Sequence, residues 1–319
     1  MLRVIAGTLR PQSGDVIFGQ RRVNDIKAAN RPLLFVTSAI DVPQRWSVQH
    51  ALVAAVRSRS LDREDRHQEY TLAAEKWELA PLIERRISTL SATEVARVQF
   101  ARIELLRPAI LIADRLLESV SPSARVPLAD MLFRTLRVHG TTVVSAPSSR
   151  EELATTDRIV VLNDGRVTQT GSAAEVFARP IDEAAAIAIG EIDEIPIGIR
   201  GTTVESIIGS WEVDPPPFQG AGIALVRPGD FAPARPGEDS DLIFGVEEAG
   251  FSAGRWIARG ILSGGVTLRV ELPSGANVHK GRLLALRYDP SRFTLIARER
   301  ARIQTTVPTD IVPPLSESR

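Results

Sequence analysis

The sequence predicts an α/β domain with a mainly parallel sheet, followed by a smaller all-β domain. Two observations lead to this prediction. In the first half, continuous apolar strands alternate with helical segments, which is the pattern of a parallel sheet covered on both faces. After about residue 195, glycine and proline become frequent and short alternating strands replace the helices, which indicates a small β-barrel.

The elements of the first half can be placed in order. "MLRVIAG" predicts the end of an apolar helix that stops at Gly7, and "GDVIFGQRRV" and "RPLLFVTS" predict strands bounded by glycine and polar residues. A charge-rich helical stretch follows at 47–79. The remaining predicted elements are a helix at 91–107, a strand at 109–114, a helix at 123–138, a strand at 141–146 and the strand "RIVVLNDGRVTQTG" with an Asp-Gly turn.

Composition restricts the class of protein. The chain has 319 residues, 44% of them hydrophobic, and its formal net charge is zero, so no overall field attracts nucleic acid or an anionic membrane. It has no cysteine, which excludes disulfides and thiolate sites, and its four histidines lack the spacing of a metal site. No apolar run approaches the roughly 18 residues of a membrane span, and a signal peptide is not apparent, so we expect membrane contact only through a partner.

One strand ends in an acid that is followed at once by a cation. Asp114 closes the apolar strand "AILIAD", and an acid in such a place usually faces a metal or a phosphate. Asp114 could equally end the strand and cap a turn. Arg115 could pair with Asp114 or with Glu118, or could neutralise a phosphate in place of a metal; a surface ion pair is the simpler interpretation.

Other polar motifs also have structural explanations. "SATE" fits a capping box, in which Ser91 and Glu94 satisfy backbone groups at a helix start. Ser148 and Ser149 fit a polar turn, because the sequence offers them no histidine or lysine partner that would make a nucleophile. Trp46, in "VPQRWSVQHAL", is more simply a packing residue than an anchor for a partner.

The order of these segments resembles the ATP-binding subunit of an ATP-binding cassette (ABC) importer, of the sugar, polyamine or iron type with a C-terminal TOBE barrel. "LSATEVARVQFARIELLRPAILIAD" has the register of the signature helix running into the Walker B strand, and "GTTVVSAPSSREEL" that of the switch-histidine strand. "DRIVVLNDGRVTQTGSAAEVFARP" resembles the closing hairpin and helix, and "IALVRPGDF" and "LRYDPSRFTLI" resemble TOBE segments.

The resemblance implies a domain plan and partners. It implies a P-loop NTPase-like ABC domain at 1–180 that lacks its first strands and Walker A loop, a linker at 181–194 and an OB-like TOBE barrel at 195–302. The composition of residues 303–319 predicts a disordered tail. It also implies ATP and Mg²⁺ as cofactors, permease subunits as membrane partners, and a homodimer or heterodimer. The location implied is the cytoplasmic face of a bacterial inner membrane.

The phosphate loop of the family is missing from this sequence. No GxxxxGK[ST] motif occurs in residues 1–319, although that loop normally wraps backbone N–H groups around the phosphates. A sheet without its central strand leaves unpaired backbone groups. We therefore expect the true start codon to lie upstream of Met1.

The family's nucleotide-contacting positions are also altered. The family's glutamine that senses Mg²⁺ and the attacking water aligns with Ser38, whose side chain is shorter. The signature LSGGQ continues from Leu90 as Ser91, Ala92, Thr93 and Glu94. Glycines there let a helix start approach the γ-phosphate of the partner subunit, whereas Cβ atoms keep it away, and the Glu94 carboxylate adds negative charge.

The family's catalytic positions are altered as well. Asp114 retains the Walker B acid, the candidate Mg²⁺ ligand. The catalytic glutamate aligns with Arg115, which stays protonated and cannot act as a base, and the switch histidine aligns with Ser148. A general base typically contributes about 10² to 10⁴ in rate, so we expect weak or absent ATP hydrolysis.

Three hypotheses remain open at this point. The chain could be a divergent importer motor, a non-catalytic scaffold or regulatory partner of a competent subunit, or the product of a decaying gene whose barrel alone folds. For the barrel, a regulatory or dimer-contact role fits better than oligonucleotide binding, because its aromatic residues are sparse and its charges are mixed.

Overall fold

Two compact units make up the chain, Met1–Thr156 and Asp157–Arg319. The structure is a computed structural model and describes residues 1–235, 237–252, 254–262 and 265–298. The tail predicted at 303–319 lies outside the described residues. The boundaries that the sequence placed at residues 180 and 195 stay a prediction, and the segment predicted as a linker holds a helix at Glu183–Ile189.

The first unit, all of whose residues are described, contains five α-helices and five strands, besides short 3-10 turns. The helices are α1 (Leu2–Ala6), α2 (Val48–Arg57), α3 (Arg63–Lys76), α4 (Ala92–Leu106) and α5 (Pro122–Val138), and the strands are β1 (Ile17–Phe18), β2 (Arg21–Arg22), β3 (Leu34–Thr37), β4 (Ile110–Asp114) and β5 (Thr142–Ala146). The predicted mixture of helices and strands is confirmed. The stretch 47–79 is two helices, because Asp62 caps a new helix by accepting the Asp65 N–H at 2.8 Å.

A three-stranded parallel sheet, in the order β3-β4-β5, forms the centre of this unit. Apart from Asp114 at its end, the residues of β4 are apolar and mostly buried, as expected for a strand with neighbours on both sides. At α1 the predicted stop is confirmed, since Gly7 adopts φ 83°, a left-handed conformation that suits glycine. The buried Arg31 guanidinium then donates to the carbonyls of Val4 and Ile5, which terminate that helix.

The core of the first unit lies between the helices and the sheet. Trp77 and Phe100 meet edge to face with their ring centroids 5.4 Å apart, and Leu52 and Leu111 are fully buried in the same cluster. Trp46 is half-buried against this cluster, which agrees with ordinary packing.

The second unit is rich in strands. It holds β6 (Ile159–Asn163), β7 (Arg166–Gly171), α6 (Ala173–Ala178), α7 (Glu183–Ile189), β8 (Asp193–Arg200), β9 (Thr203–Ser206), β10 (Gly209–Glu212), β11 (Gly220–Val226), β12 (Phe231–Pro233), β13 (Leu242–Gly245), β14 (Glu248–Ser252), β15 (Arg255–Ile261), β16 (Thr267–Pro273), β17 (Leu283–Tyr288) and β18 (Thr294–Ala297). The Asp-Gly turn predicted between β6 and β7 is confirmed, because Asp164 and Gly165 both have positive φ, 48° and 76°.

Three antiparallel sheets follow that hairpin. Their orders are β10-β9-β8-β11-β18, β12-β17-β13 and β14-β15-β16. They share one apolar cluster that includes Phe231, Phe244, Val270 and Leu286. Gly260 sits where a Cβ would collide with the Gly245 carbonyl, so a close approach of two backbones requires glycine there. Within the described part of the chain, no helix has both the length and the apolar character of a membrane span.

Candidate functional site

The carboxyl ends of the three parallel strands place four of the predicted site residues on one edge of the sheet. Thr37 is paired with Asp114, and Asp114 is paired with Ala146, so the three strands end level with one another. Ser38 follows the first of these residues and Ser148 comes two residues after the last. Ligands of open α/β sheets bind beyond this type of edge. The structure therefore brings together Ser38, Asp114, Arg115 and Ser148.

At the end of β4, Arg115 makes one backbone hydrogen bond and one exposed ion pair. Arg115 has φ 49°, and its N–H donates to the Ala146 carbonyl at 3.0 Å. Its guanidinium Nη1 lies 2.8 Å from Glu118 Oε1, and the two side chains are 62% and 53% exposed. Of the two ion pairs that the sequence left open, the structure has the one with Glu118. Among the described residues, no side chain donates a hydrogen bond to the half-buried Asp114 carboxylate.

At the end of β5, a buried acid organises the turn. The N–H groups of Ser148 and Ser149 both donate to Glu152 Oε1 at 3.0 Å. Glu152 is only 5% exposed, and burial raises its pKa although these hydrogen bonds and Arg125 oppose the shift. The polar turn predicted here is confirmed. The Ser148 hydroxyl is buried and has no hydrogen-bond partner within the described ranges.

Glu152 was missed in the analysis of the sequence. Its signal was present, because Ser149 and Glu152 stand in the Ser-x-x-Glu spacing of a capping box, and the structure shows that box at the start of a 3-10 turn, Arg150–Thr155. Burial of the carboxylate depends on long-range packing, so the spacing alone did not indicate it.

The start of α4 is a complete capping box. The Ser91 hydroxyl accepts the Glu94 N–H at 3.3 Å, and Glu94 Oε2 accepts the Ser91 N–H at 2.7 Å. The hydrogen bond from the Ser91 N–H to the carboxylate, followed by the interaction of the carboxylate with the Ser91 side chain, lowers the pKa of the Glu94 carboxyl. The structural interpretation of "SATE" is confirmed. Ala92 and Thr93 are the first two helical residues, so their Cβ atoms stand at the N-terminus of the helix.

Within this chain, the N-terminus of α4 lies apart from the carboxyl ends of the three parallel strands. Gln99, seven residues after Ala92, donates from Nε2 to the Thr37 carbonyl at 2.8 Å and is 3% exposed. At 1.5 Å per residue, the N-terminus of α4 lies roughly 10 Å further along the helix axis. The predicted residues Ser91–Glu94 therefore form a separate group from those around Asp114.

Comparisons with known proteins show which proteins this chain resembles. The family model described as ABC transporter matches residues 1–117. The chain is 26% identical over 305 residues to the sn-glycerol-3-phosphate import ATP-binding protein UgpC 3 of Agrobacterium fabrum, covering 92% of this chain and 85% of that protein. The chain is therefore similar to an ABC transporter domain over residues 1–117 and to import ATP-binding proteins over a longer range.

Two further similarities belong with this assignment. The chain is 29% identical over 210 residues to the maltose/maltodextrin import ATP-binding protein MalK of Salmonella typhimurium, covering 65% of this chain, and it spans 57% of that relative's length. Its backbone also matches the ATP-binding cassette MJ0796, solved as a dimer in a post-hydrolysis state bound to ADP and Pi. There the TM-score is 0.46 with 18% identity, over 54% of this chain and 78% of that one.

An ABC domain implies ATP, typically with Mg²⁺, and the residues of this chain do not fit that pair by themselves. Residues 1–319 contain no GxxxxGK[ST] loop to surround the phosphates. In the parts of the chain that the structure describes, no three His, Asp or Glu side chains converge as a metal site would require. Next to the single candidate ligand, Asp114, stands the guanidinium of Arg115.

Proposed function

We propose that this chain is the ATP-binding-type subunit of a bacterial ABC importer and that it hydrolyses ATP weakly or not at all. The observation that carries the proposal is Arg115. It occupies the position after the strand-terminal Asp114, where the family has its catalytic glutamate, and it is ion-paired with Glu118 on the surface. A guanidinium that stays protonated cannot accept a proton from water.

Two more edge positions support weak hydrolysis. Ser38 stands in the place of the family's glutamine and Ser148 in the place of its histidine, and among the described residues neither hydroxyl is hydrogen-bonded to a histidine or lysine that could activate it. The Ser148 backbone is committed to Glu152 through the hydrogen bond at 3.0 Å. The contribution of such groups is not additive, because they act as a unit, but losing all three leaves little basis for turnover.

We further propose that the strands from β8 to β18 form a TOBE-like barrel at 195–302. Their three antiparallel sheets enclose a shared apolar cluster, and their short lengths and frequent turns are typical of small barrels. The ABC domain proposed at 1–180 would then include the β6–β7 hairpin and α6, which group with the second compact unit.

The proposed partners follow from the relatives. We infer that the subunit works beside permease subunits at the cytoplasmic face of the inner membrane and pairs with a second ABC subunit, either a copy of itself or a different one. The names of the relatives describe import of sn-glycerol 3-phosphate and of maltose or maltodextrin, and MJ0796 was solved as a dimer. Those substrates belong to those proteins.

A second candidate function is that of a non-catalytic scaffold or regulatory partner of a competent ABC subunit. The observation in its favour is the α4 capping box, because Glu94 places a carboxylate where the family's signature approaches the partner's phosphate. The genes beside this one discriminate between the two functions. An intact second cassette gene supports the partner role, whereas permease genes with this cassette alone support a divergent motor.

The test is ATP turnover by the full chain purified together with its permease subunits. We expect turnover near the background of the permease preparation alone and no further loss in Asp114→Asn. Robust turnover that Asp114→Asn abolishes would contradict weak hydrolysis. If the chain does not associate with any permease subunit encoded by the neighbouring genes, the proposed importer role would be contradicted.

A further inference from the structure

The strand β14 lies at the edge of a sheet in the second unit and has one neighbouring strand. In the order β14-β15-β16, β14 pairs only with β15, and all five residues of Glu248–Ser252 are exposed. Among the described residues, no group hydrogen-bonds to the other side of this strand. Since alternate residues of a strand direct their N–H and C=O groups to opposite sides, part of the β14 backbone is left for another strand.

The sequence of β14 does not protect this edge. The strand reads "EAGFS", without proline or lysine, and its pairing with β15 runs through all five residues without a register shift. Proline, lysine and bulges are the features with which proteins usually prevent pairing between exposed edges. The edge of β14 is therefore open to a further strand.

One face of β14 carries an exposed aromatic ring. Phe251 is 55% exposed, and its ring meets Trp256 of β15 edge to face, with 5.2 Å between the ring centroids. Trp256 packs in turn against the apolar cluster of this unit. Ala249, two residues before Phe251, lies on the same face of the strand. A large and a small residue on one face can interlock with a strand that presents them in the reverse order.

The strand that presents them in the reverse order is β14 itself. If two copies pair antiparallel with Gly250 opposite Gly250, Phe251 of each copy faces the partner's Ala249. The two phenyl rings are then diagonal neighbours, which aromatic side chains can bridge. Glycine has no Cβ to collide at the two-fold axis. The pairing uses the same patch on both copies, as a two-fold interface requires.

The opposite face of β14 has charges that match in the same register. Glu248 lies 3.7 Å from Arg259, and it would face the partner's Ser252. Ser252 is paired across the strands with Arg255, which forms an ion pair with Glu271. Charges therefore alternate in sign across the junction. The Cα atoms of the two Glu248 residues stay roughly 14 Å apart, four residues along the strand.

We propose that β14 is a contact surface between two copies of this chain, which pair antiparallel about Gly250 and join two three-stranded sheets into one of six strands. Standard interfaces use about 20 to 30 residues per partner, so a five-residue strand gives a transient dimer with a Kd of about 1 to 100 μM. The proposal names a surface for the pairing with a copy proposed above, but it rests on β14 alone and needs no nucleotide. A chain that dimerises through β14 without associating with a permease would uphold it and contradict the importer role.

Cysteine cross-linking of the full chain tests the register, because the sequence contains no cysteine of its own. In the proposed dimer, the two Cα atoms of Gly250→Cys lie about 4.5 to 5.5 Å apart, within the range of a disulfide. A Cβ at Gly250 would have no described atom within 4 Å, so the substitution fits the single chain. We expect mild oxidation at micromolar concentration, without nucleotide, to give a disulfide-linked dimer.

Glu248→Cys is the matched control on the same strand. It is also exposed, but its Cα lies roughly 14 Å from its copy in the proposed dimer, which is too far for a disulfide. Equal rates of cross-linking by the two variants would overturn the proposal, as would the absence of a dimer from Gly250→Cys.

Sedimentation velocity measures the same equilibrium without a cross-link, on the full chain from about 1 to 200 μM. Phe251→Lys should weaken the dimer at least about tenfold, because it removes the apolar contact and adds two like charges. Ile243→Lys is its control and should stay within about twofold of wild type, since Ile243 is 57% exposed on β13 of another sheet. Circular dichroism would verify that both variants fold. A monomer throughout the range, or equal effects of the two substitutions, would contradict the proposal.

Discussion

The ends of β4 and β5 lie side by side on one edge of the sheet, and each is followed within a few residues by a glutamate, but the two glutamates act differently. After β4, Glu118 is 53% exposed and pairs with the exposed Arg115. After β5, Glu152 is 5% exposed and accepts two backbone N–H groups. The first contact is a surface ion pair, and the second holds the turn together.

This difference shows how a sheet edge can change its chemistry while the fold persists. An exposed ion pair contributes little to stability, so the residue at position 115 is free to vary without loss of the fold. A buried carboxylate that satisfies backbone donors is costly to remove. Ser148 belongs to a turn that the buried Glu152 holds, whereas the Arg115 side chain makes only an exposed ion pair.

The largest effect should come from Glu152→Ala. The substitution leaves the N–H groups of Ser148 and Ser149 without their acceptor, so the free energy of unfolding of the first unit should fall by about 2 to 3 kcal/mol. Urea denaturation followed by hydrogen exchange in peptides from residues 1–156 isolates this unit. A loss below about 0.5 kcal/mol would show that the two strand ends are equivalent.

The pH dependence of Glu152→Gln sharpens the same comparison. Glutamine can still accept the N–H groups but cannot titrate. Because burial raises the pKa of Glu152, the native chain binds this proton more readily than the unfolded chain. Wild type should therefore gain stability relative to Glu152→Gln as the pH falls through the raised pKa toward the ordinary value, about 4.3, and lose it as the pH rises.

The matching measurement is the difference in the free energy of unfolding between wild type and Glu152→Gln, taken from neutral to acidic pH. Titration of other acids is common to both proteins and cancels in the difference. A difference that stays constant, or that turns against wild type on acidification, would mean that the carboxylate is solvated or better stabilised as an anion than its burial indicates.

The smallest effect should come from Glu118→Ala. It removes only the exposed partner of Arg115, so the free energy of unfolding should change by about 0.5 kcal/mol or less, with a further decrease of the effect in high salt. Thermal melting at low and high salt measures it. A loss of unfolding free energy comparable to that of Glu152→Ala would mean that the ion pair after β4 also stabilises the fold.

The sequence predicted the parallel sheet and its elements because long apolar runs and capped helices have strong local signals. Gly7 ends α1 as expected, and Ser91 with Glu94 forms the expected capping box. The strand predicted in "GDVIFGQRRV" is present as two short antiparallel strands, β1 and β2. The break after Arg57 was not predicted, since a few polar residues interrupt the helical pattern only weakly.

The candidate site was predictable in position but not in its contacts. The order of the strands placed Asp114, Arg115 and Ser148 on one edge, because parallel strands end together. Which acid Arg115 would pair with depended on side-chain directions in space. The burial of Glu152 depends on packing against residues far apart along the chain, which no local spacing records.

The most direct test of the central claim, that this edge no longer holds a metal-bound nucleotide, is an equilibrium titration of the full chain with a fluorescent ATP analogue, with and without Mg²⁺. The account predicts that Mg²⁺ leaves the affinity unchanged and that Asp114→Asn binds like wild type. A clear increase in affinity on adding Mg²⁺, abolished by Asp114→Asn, would contradict it.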